Sequence, residues 1–256
     1  MRIGILTDIH ENVQMLHEAL RQAAASRCDE LACLGDIVGY DRRFYRFADR
    51  RSARECVALI RANFRWVVAG NHDLHASGRV PSWSNGFRFP EGWFAMDALQ
   101  RKAVSGGKVW CYEGDDPNDL EDGDLEYLCS LPEYETVEAD SATCLFSHYI
   151  FPDFTGSTTR YFERKWQLKP HWEFMNQNSL KYSFSGHSHQ LFAGFAYPKA
   201  GLIFRAIQPN PNSRFTLGGE MQLVTLPPLA GDHGRTGFSV FDTQSRILTI
   251  HSLRTQ

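Results

Sequence analysis

The chain has 256 residues, long enough to bury a sizeable core, and its 43% hydrophobic and 22% charged residues exclude a disordered, fibrous or linker-like protein. Lys plus Arg number 27 against 30 Asp plus Glu, a formal charge of -3, so no global field exists for gripping duplex nucleic acid or an anionic membrane. Any anion site must be local.

In chain order, Arg2 to Thr7 is a β-prone run ending in Asp8, and Val13 to Leu20 carries apolar residues at helical spacing. Glu30 to Leu34 reads as a strand running into Gly35-Asp36, Cys56 to Ile60 as part of a helix, and Arg65 to Ala69 as a strand ending at Gly70-Asn71-His72-Asp73. Strands alternating with helices predict an α/β sheet that begins with parallel strands. Residues 75–90 are loop-like, while 93–103 and 124–131 read as helices, the latter stopped by Pro132. From Glu135 the texture turns to strands at 143–147, 182–185, 202–204, 221–224, 238–241 and 247–250, which predicts a second sheet. No low-complexity linker divides the chain. The expectation is one domain over 1–256, with two sheets face to face, helices outside, and excursions at 75–105 and 150–175 near the site.

No apolar run approaches the roughly 18–20 residues that span a bilayer. The start turns polar after about six residues, short of a secretory signal's apolar stretch, so the expected location is the cytoplasm. Six cysteines without a Cys-x-x-Cys pair are expected as buried thiols.

Chemistry concentrates where strands end. Of ten histidines, His10, His72, His148, His187 and His189 lie just beyond predicted strands, beside carboxylates, amides or glycines. The constellation is Asp8-x-His10, Gly35-Asp36, Gly70-Asn71-His72-Asp73, Ser147-His148 and Gly186-His187-Ser188-His189. Mixed imidazole, carboxylate and amide donors suit first-row transition metals better than an all-oxygen cage. Singly, each has an ordinary reading: Asp8 as a cap, Asn71 as a turn residue, a lone histidine as a satisfied structural group. Their joint occurrence outweighs those readings. His17, His75, His171, His233 and His251 keep structural ones.

This ordered set resembles the calcineurin-like metallophosphoesterase superfamily, and the stretch Leu34 to Tyr40 is most similar to its small bacterial phosphoesterase branch. The resemblance implies a four-layer α-β-β-α sandwich of two mixed sheets with flanking helices. It also implies two divalent or trivalent transition-metal ions, of Mn, Fe, Zn, Co or Ni. Carried over, Asp8, His10, Asp36 and His189 would hold the first ion, and Asp36, Asn71, His148 and His187 the second, with Asp36 bridging. His72 would meet the phosphate or protonate the leaving group, and Asp73 would orient His72 or its loop. The implied reaction is in-line attack of metal-activated hydroxide on a phosphomonoester or phosphodiester, without a covalent enzyme intermediate.

Three departures from the family pattern stand out. Glu11 replaces a frequent glycine and Tyr149 follows His148 where a small residue is usual, both expected to narrow the phosphate pocket, and Leu226 to Gly231 lacks the branch's Asn-Pro-Gly-Ser type turn. The partner expected is a small phosphorylated molecule, with a nucleotide among the candidates, and neither a membrane nor duplex nucleic acid. Six arginines in Asp41 to Arg54 mostly read as a solvated face, but Arg42 and Arg43 are substrate candidates because Arg forks bind phosphate, with Phe44, Tyr45 and Phe47 placed to stack a base. Arg160 to Trp166 would form an opposite wall. An HD-domain phosphohydrolase is excluded by the strand before His72-Asp73, and a serine hydrolase by the lack of a Gly-x-Ser-x-Gly elbow. The rival reading is a non-catalytic protein-binding scaffold of the same fold, which metal content and aryl phosphate hydrolysis would separate.

Overall fold

Strand β1 (Arg2–Leu6) is buried on both faces, as expected for a strand with neighbours on each side and layers above and below. It pairs in parallel with β2 (Glu30–Cys33), which pairs in parallel with the short β3 (Trp66–Val67). The computed structural model describes residues 1–140, 142–160, 165–189, 194–196, 213–231 and 236–253. The crossovers are α1 (Val13–Ala25) and α2 (Ala53–Asn63). Asn12 caps α1 by accepting from the Met15 amide, and Ser52 caps α2 by accepting from that of Glu55. Helix α1 buries Met15, Leu16, Ala19 and Ala23, one stripe at helical spacing, against the outer face of this sheet.

The C-terminal strands divide between both sheets rather than forming only the second one. On its other edge β1 pairs antiparallel with β10 (Thr236–Asp242), then follow β11 (Ile247–Leu253) and β8 (Ser213–Thr216), giving the order β3-β2-β1-β10-β11-β8. The second sheet holds β4 (Tyr134–Ala139), β5 (Ala142–Ser147), β6 (Tyr182–Ser185), β9 (Gln222–Thr225) and β7 (Gly194–Ala196) in the order β4-β5-β6-β9-β7. Its central pairs are parallel and its outer pairs antiparallel, so both sheets are mixed. Between them lie Ile3, Ile5, Phe146, Phe184, Phe241 and Ile250, all essentially inaccessible. Helix α6, over Lys169–Gln177, covers the outer face of the second sheet through Met175, completing an α-β-β-α sandwich. The expected strand at 202–204 lies outside the described residues.

Three more helices fill the middle third. Helix α3 (Asn71–Ala76) was not expected, because its six residues are too short to show periodicity and follow a strand directly. His72 and Asp73 therefore do lie on a helix, though one opened at a strand end. The expected helix at 93–103 divides into a 3-10 turn at Trp93–Ala95 and α4 (Ala98–Ser105), separated by Met96 and the capping Asp97. Helix α5 spans Asp122–Ser130. All six cysteines are free thiols, but Cys129 is exposed and Cys28 only half-buried, so the expectation of buried thiols fails at both. No helix among the described residues is long and apolar enough to cross a membrane.

His171 of α6 is fully buried, accepting at Nδ1 from the Phe151 amide, and burial pushes its pKa down to about 3. The unfolded chain, with an ordinary histidine near 6.5, binds the extra proton first as pH falls. Stability therefore declines below about pH 6.5 by roughly 1.4 kcal/mol per unit for this group. His171→Gln, which keeps an acceptor for the Phe151 amide, should flatten the acid limb by that slope in urea titrations at pH 7, 6 and 5; an unaltered limb would show that His171 does not drive it.

Candidate metal centre

Every strand-end motif reaches one place because the parallel strands of both sheets point their carboxyl ends the same way. After β1 come Asp8 and His10, after β2 Asp36, after β3 Asn71 and His72, after β5 His148, and after β6 His187 and His189. The first two loops are zipped together by backbone bonds: Asp8 N–H donates to Gly35 O at 3.1 Å, Ile9 N–H to Asp36 O at 2.7 Å and Glu11 N–H to Ile37 O at 2.9 Å. The second sheet's loop joins them where the His187 amide donates to both Asp8 carboxylate oxygens at 3.1 and 3.2 Å. Asp8, His10, Asp36, His187 and His189 all have φ between +45° and +64°, a left-handed region costly for side-chain-bearing residues.

The side chains converge closely. His189 Nε2 lies 3.2 Å from Asp8 Oδ1 and 3.1 Å from His10 Nε2; His148 Nε2 lies 3.1 Å from Asp36 Oδ2 and 3.2 Å from His187 Nδ1. Two groups could each hold a cation, Asp8-His10-Asp36-His189 and Asp36-His148-His187, their ligand atoms lying within 4.8 Å of one another in each. Asp36 belongs to both. His10 and His148 point their Nδ1 at the carbonyls of Gly39 and Leu34, each at 2.7 Å, which fixes the tautomer that leaves Nε2 as a lone-pair donor. Asn71 Oδ1 is buried without a hydrogen-bond partner beside this cluster, the mark of an oxygen waiting for a ligand.

Electrostatics fit that use. Burial opposes ionisation of Asp8 and Asp36, yet His189 and His148 around the first and His148 and His72 around the second hold both carboxyls well below the usual range. Burial pushes His10 down to about 4, whereas at His148 burial is outweighed by the Asp36 charge and hydrogen bond together with Asp8 and the Leu34 carbonyl, which lift it to about 9, so a cation bound there would displace the Nε2 proton.

His72 stands at the edge of the cluster. Its amide donates to Asp36 Oδ1 at 2.9 Å, and its Nδ1 lies 2.8 Å from Asp115 Oδ2. Asp115 and Asp36 together outweigh burial and raise its pKa to about 10. Asp73 touches no His72 ring atom: its carboxylate accepts from the amides of Ile37 and Val38 at 2.9 and 3.2 Å and of Gly70 at 2.9 Å, so it fastens the β2 loop to α3. The group that orients His72 is therefore Asp115, which sequence reasoning missed. Its only sequence signal is the acidic run Glu113 to Asp116 between two expected helices.

The cluster floors a cavity of about 700 Å³ whose walls include Arg43, Phe44, Tyr45, Trp110, Tyr112 and Glu113. Much of that wall comes from the irregular segment 106–119, strapped on by side chains. Asp116 pairs with Arg42, Asp119 accepts from Ser52 Oγ and the Ala53 amide, Pro117 O accepts from Arg51, and Tyr112 OH donates to Asn71 O at 3.0 Å. His75 has the structural part expected of it, stacking on Tyr112 at 4.0 Å and 9°.

The substrate candidates fare differently. Arg42 lies outside the cavity, its fork closed on Asp116. Arg43 lines the cavity but is bound to Asp41, with Glu113 3.9 Å away. Of the remaining arginines, Arg46 donates to backbone carbonyls, Arg50 to Gln14, Arg51 to Glu11 and Arg54 to Glu121, so the segment is mainly structural. Tyr45 and Phe47 are buried against Tyr40, leaving Phe44 exposed. Tyr149 is buried against the His187 ring and does not line the cavity. Glu11 does not narrow the pocket either: it is buried, accepting from the Gly39 and Tyr40 amides and pairing with Arg51 at 2.6 Å. Its φ of +66° explains why glycine is frequent there. Residues 161–164 of the supposed opposite wall lie outside the described residues, as does His233.

A sequence profile of calcineurin-like phosphoesterases matches residues 1–191, most of the chain, and the protein belongs to that family of metal-dependent phosphoesterases. Among similar proteins is the uncharacterized protein MJ0912 of Methanocaldococcus jannaschii, 26% identical over 184 residues, a match covering 68% of this chain and 64% of that one. The fold is similar to a metallophosphoesterase from Sphaerobacter thermophilus, with a TM-score of 0.67 and 23% identity over 100% of this chain and 89% of the other. It is also similar to the hypothetical protein PH1004 from Pyrococcus horikoshii OT3, with a TM-score of 0.57 and 13% identity over 100% and 88%.

A Cβ on Gly70 would collide with the Asp36 carboxylate and amide. Gly70→Ala should therefore weaken metal retention about tenfold or more while leaving the sandwich folded. Inductively coupled plasma analysis after graded chelation, alongside circular dichroism, measures both; wild-type retention would show that the contact is slack.

Proposed function

We propose that this chain hydrolyses a phosphomonoester or phosphodiester with two cations held across Asp36. The observation that carries the reading is one buried carboxylate shared by two donor groups, with the orphaned Asn71 oxygen beside it. Asp8, His10, Asp36 and His189 would hold one ion, and Asp36, Asn71, His148 and His187 the other, of the Mn, Fe, Zn, Co or Ni type that mixed nitrogen and oxygen donors suit. Such a pair, when bound, supplies Lewis acidity and a nucleophile at neutral pH for in-line displacement at phosphorus.

The chain's own residues do the rest. With Nδ1 committed to Asp115, His72 keeps Nε2 for a phosphoryl oxygen or the leaving group, and its positive charge suits both tasks. Asp115 is a positioning residue, and Asp73 preserves the loop geometry from behind. The rival scaffold reading has less support, since an intact donor set around a cavity of this size does nothing for a surface that only docks proteins.

Asp36→Asn should lose activity and most bound metal, because two cations would then face each other without the shared charge. Metal analysis and hydrolysis of p-nitrophenyl phosphate and bis(p-nitrophenyl) phosphate under each metal check this; two ions per chain with normal turnover would defeat the bridging role. Metal binding with no hydrolysis of either ester would favour the scaffold.

Asp115→Asn should retain both metals but lower kcat, by about tenfold to a thousandfold, and move the alkaline limb of its pH profile to lower pH, since the carboxylate that favours imidazolium is gone. An unmoved limb would remove Asp115 from the mechanism.

A further inference from the structure

Beyond the metal cluster the cavity wall changes character. The acids Asp41, Glu113 and Asp115 line it, while Arg43 is the one Lys or Arg lining it among the described residues and is already engaged by Asp41. Lys102 approaches Glu113 at 3.3 Å from outside the lining. Each acid already has its cation, Asp41 in Arg43, Glu113 in Lys102 and Asp115 in His72, so a second phosphate extending along this wall would find no uncommitted cation and would have to compete with the carboxylates for those that are there. Set among those acids is an apolar surface. Phe44 is 65% exposed, with the Arg43 guanidinium 5.4 Å above its ring, and it is the exposed large hydrophobic residue that lines the cavity among the described residues. Half-buried Trp110 adds a further aromatic face. An exposed aromatic ring such as Phe44, with Arg43 over one face, gains little for the fold and offers its other face to a flat ligand.

We propose that the cavity selects an ester of a single phosphate carrying a flat, uncharged ring system, such as a nucleoside monophosphate ester, and rejects nucleoside di- and triphosphates, with Phe44 as the stacking residue and Glu113 as the residue that excludes further phosphates. This selectivity rests on the phosphoesterase reading. The Arg-rich segment offers no site for further phosphates, because its guanidinium groups are spent within the chain.

The test is competition against hydrolysis of p-nitrophenyl or bis(p-nitrophenyl) phosphate by the metal-loaded full chain, with free metal held constant by a metal buffer. Methyl phosphate, AMP, ADP and ATP are the competitors. AMP should bind about tenfold more tightly than methyl phosphate, a gain of the size that base stacking supplies. ADP and ATP should bind no better than AMP, and progressively worse at low salt, where the wall is least screened. Phe44→Ala should abolish the advantage of AMP over methyl phosphate; its ring lies mostly in solvent, and an unchanged melting temperature confirms the fold. Glu113→Gln should improve ADP and ATP relative to AMP. ATP binding more tightly than AMP to the wild-type protein, or an unchanged ratio of AMP to methyl phosphate in Phe44→Ala, would overturn the proposal. Failure to hydrolyse either aryl ester would instead defeat the phosphoesterase reading, and calorimetric titration of AMP and ATP into the metal-loaded protein would still decide the selectivity.

Discussion

The Asp36 carboxylate has one oxygen on the His72 amide and the other facing His148 and His10, in a gap that Gly70 keeps open only by lacking a side chain. A charge this deeply buried is expensive unless partners surround it. The carboxylate therefore dictates what stands around it: imidazoles from both sheets, a helix start whose amide reaches it, and backbone loops packed closely behind it. Gly35 shows the tightness most directly, since with φ of +85° any Cβ would strike Gly70 and the Ala69 carbonyl carbon.

Strain follows from that crowding. Left-handed backbone at Asp8, His10, Glu11, Asp36, His187 and His189 costs on the order of 1–2 kcal/mol for each residue. The conformations persist because neighbouring groups over-determine them. Ile9, His10 and Glu11 donate consecutively to Asp36 and Ile37, Ala230 N–H ties the Asp8 carbonyl from beyond β9, and the Glu11 carboxylate gathers two amides and Arg51. The sandwich core below supplies the rigidity, and the strain aims side chains that a relaxed turn would point elsewhere.

The convergence of Asp8, His10, Asp36, His148, His187 and His189 was legible because each lies within a few residues of an apolar strand, and parallel strands bring their carboxyl ends together. The alternation of strand and helix through residue 69 was legible for the same reason, being local and periodic. What escaped the sequence was non-local or too short. The order of strands depends on pairing across the whole chain, so nothing in Phe238 to Phe241 declares that β10 pairs with β1. Helix α3 has too few turns to repeat a pattern, and in α6 Pro170 and scattered aromatics obscure the stripe formed by His171 and Met175. Asp115 arrives on an irregular segment with no periodicity. Arg42 and Arg43 had the right chemistry for phosphate, but an arginine's partner is a matter of geometry, and acids on that same segment or beside it already fill theirs.

Floor and wall of the cavity are fastened by different means. The donor loops are held mainly by backbone amides and carbonyls, which any sequence of compatible shape reproduces and few substitutions can remove. The strap at 106–119 is held largely by side chains, through pairs such as Arg42 with Asp116 and Ser52 with Asp119. Replacing either member of such a pair re-cuts the wall without disturbing the loops beneath it. The molecule thus separates what is hard to change from what is easy: the donor loops stand or fall together, while the wall above them can be altered a residue at a time.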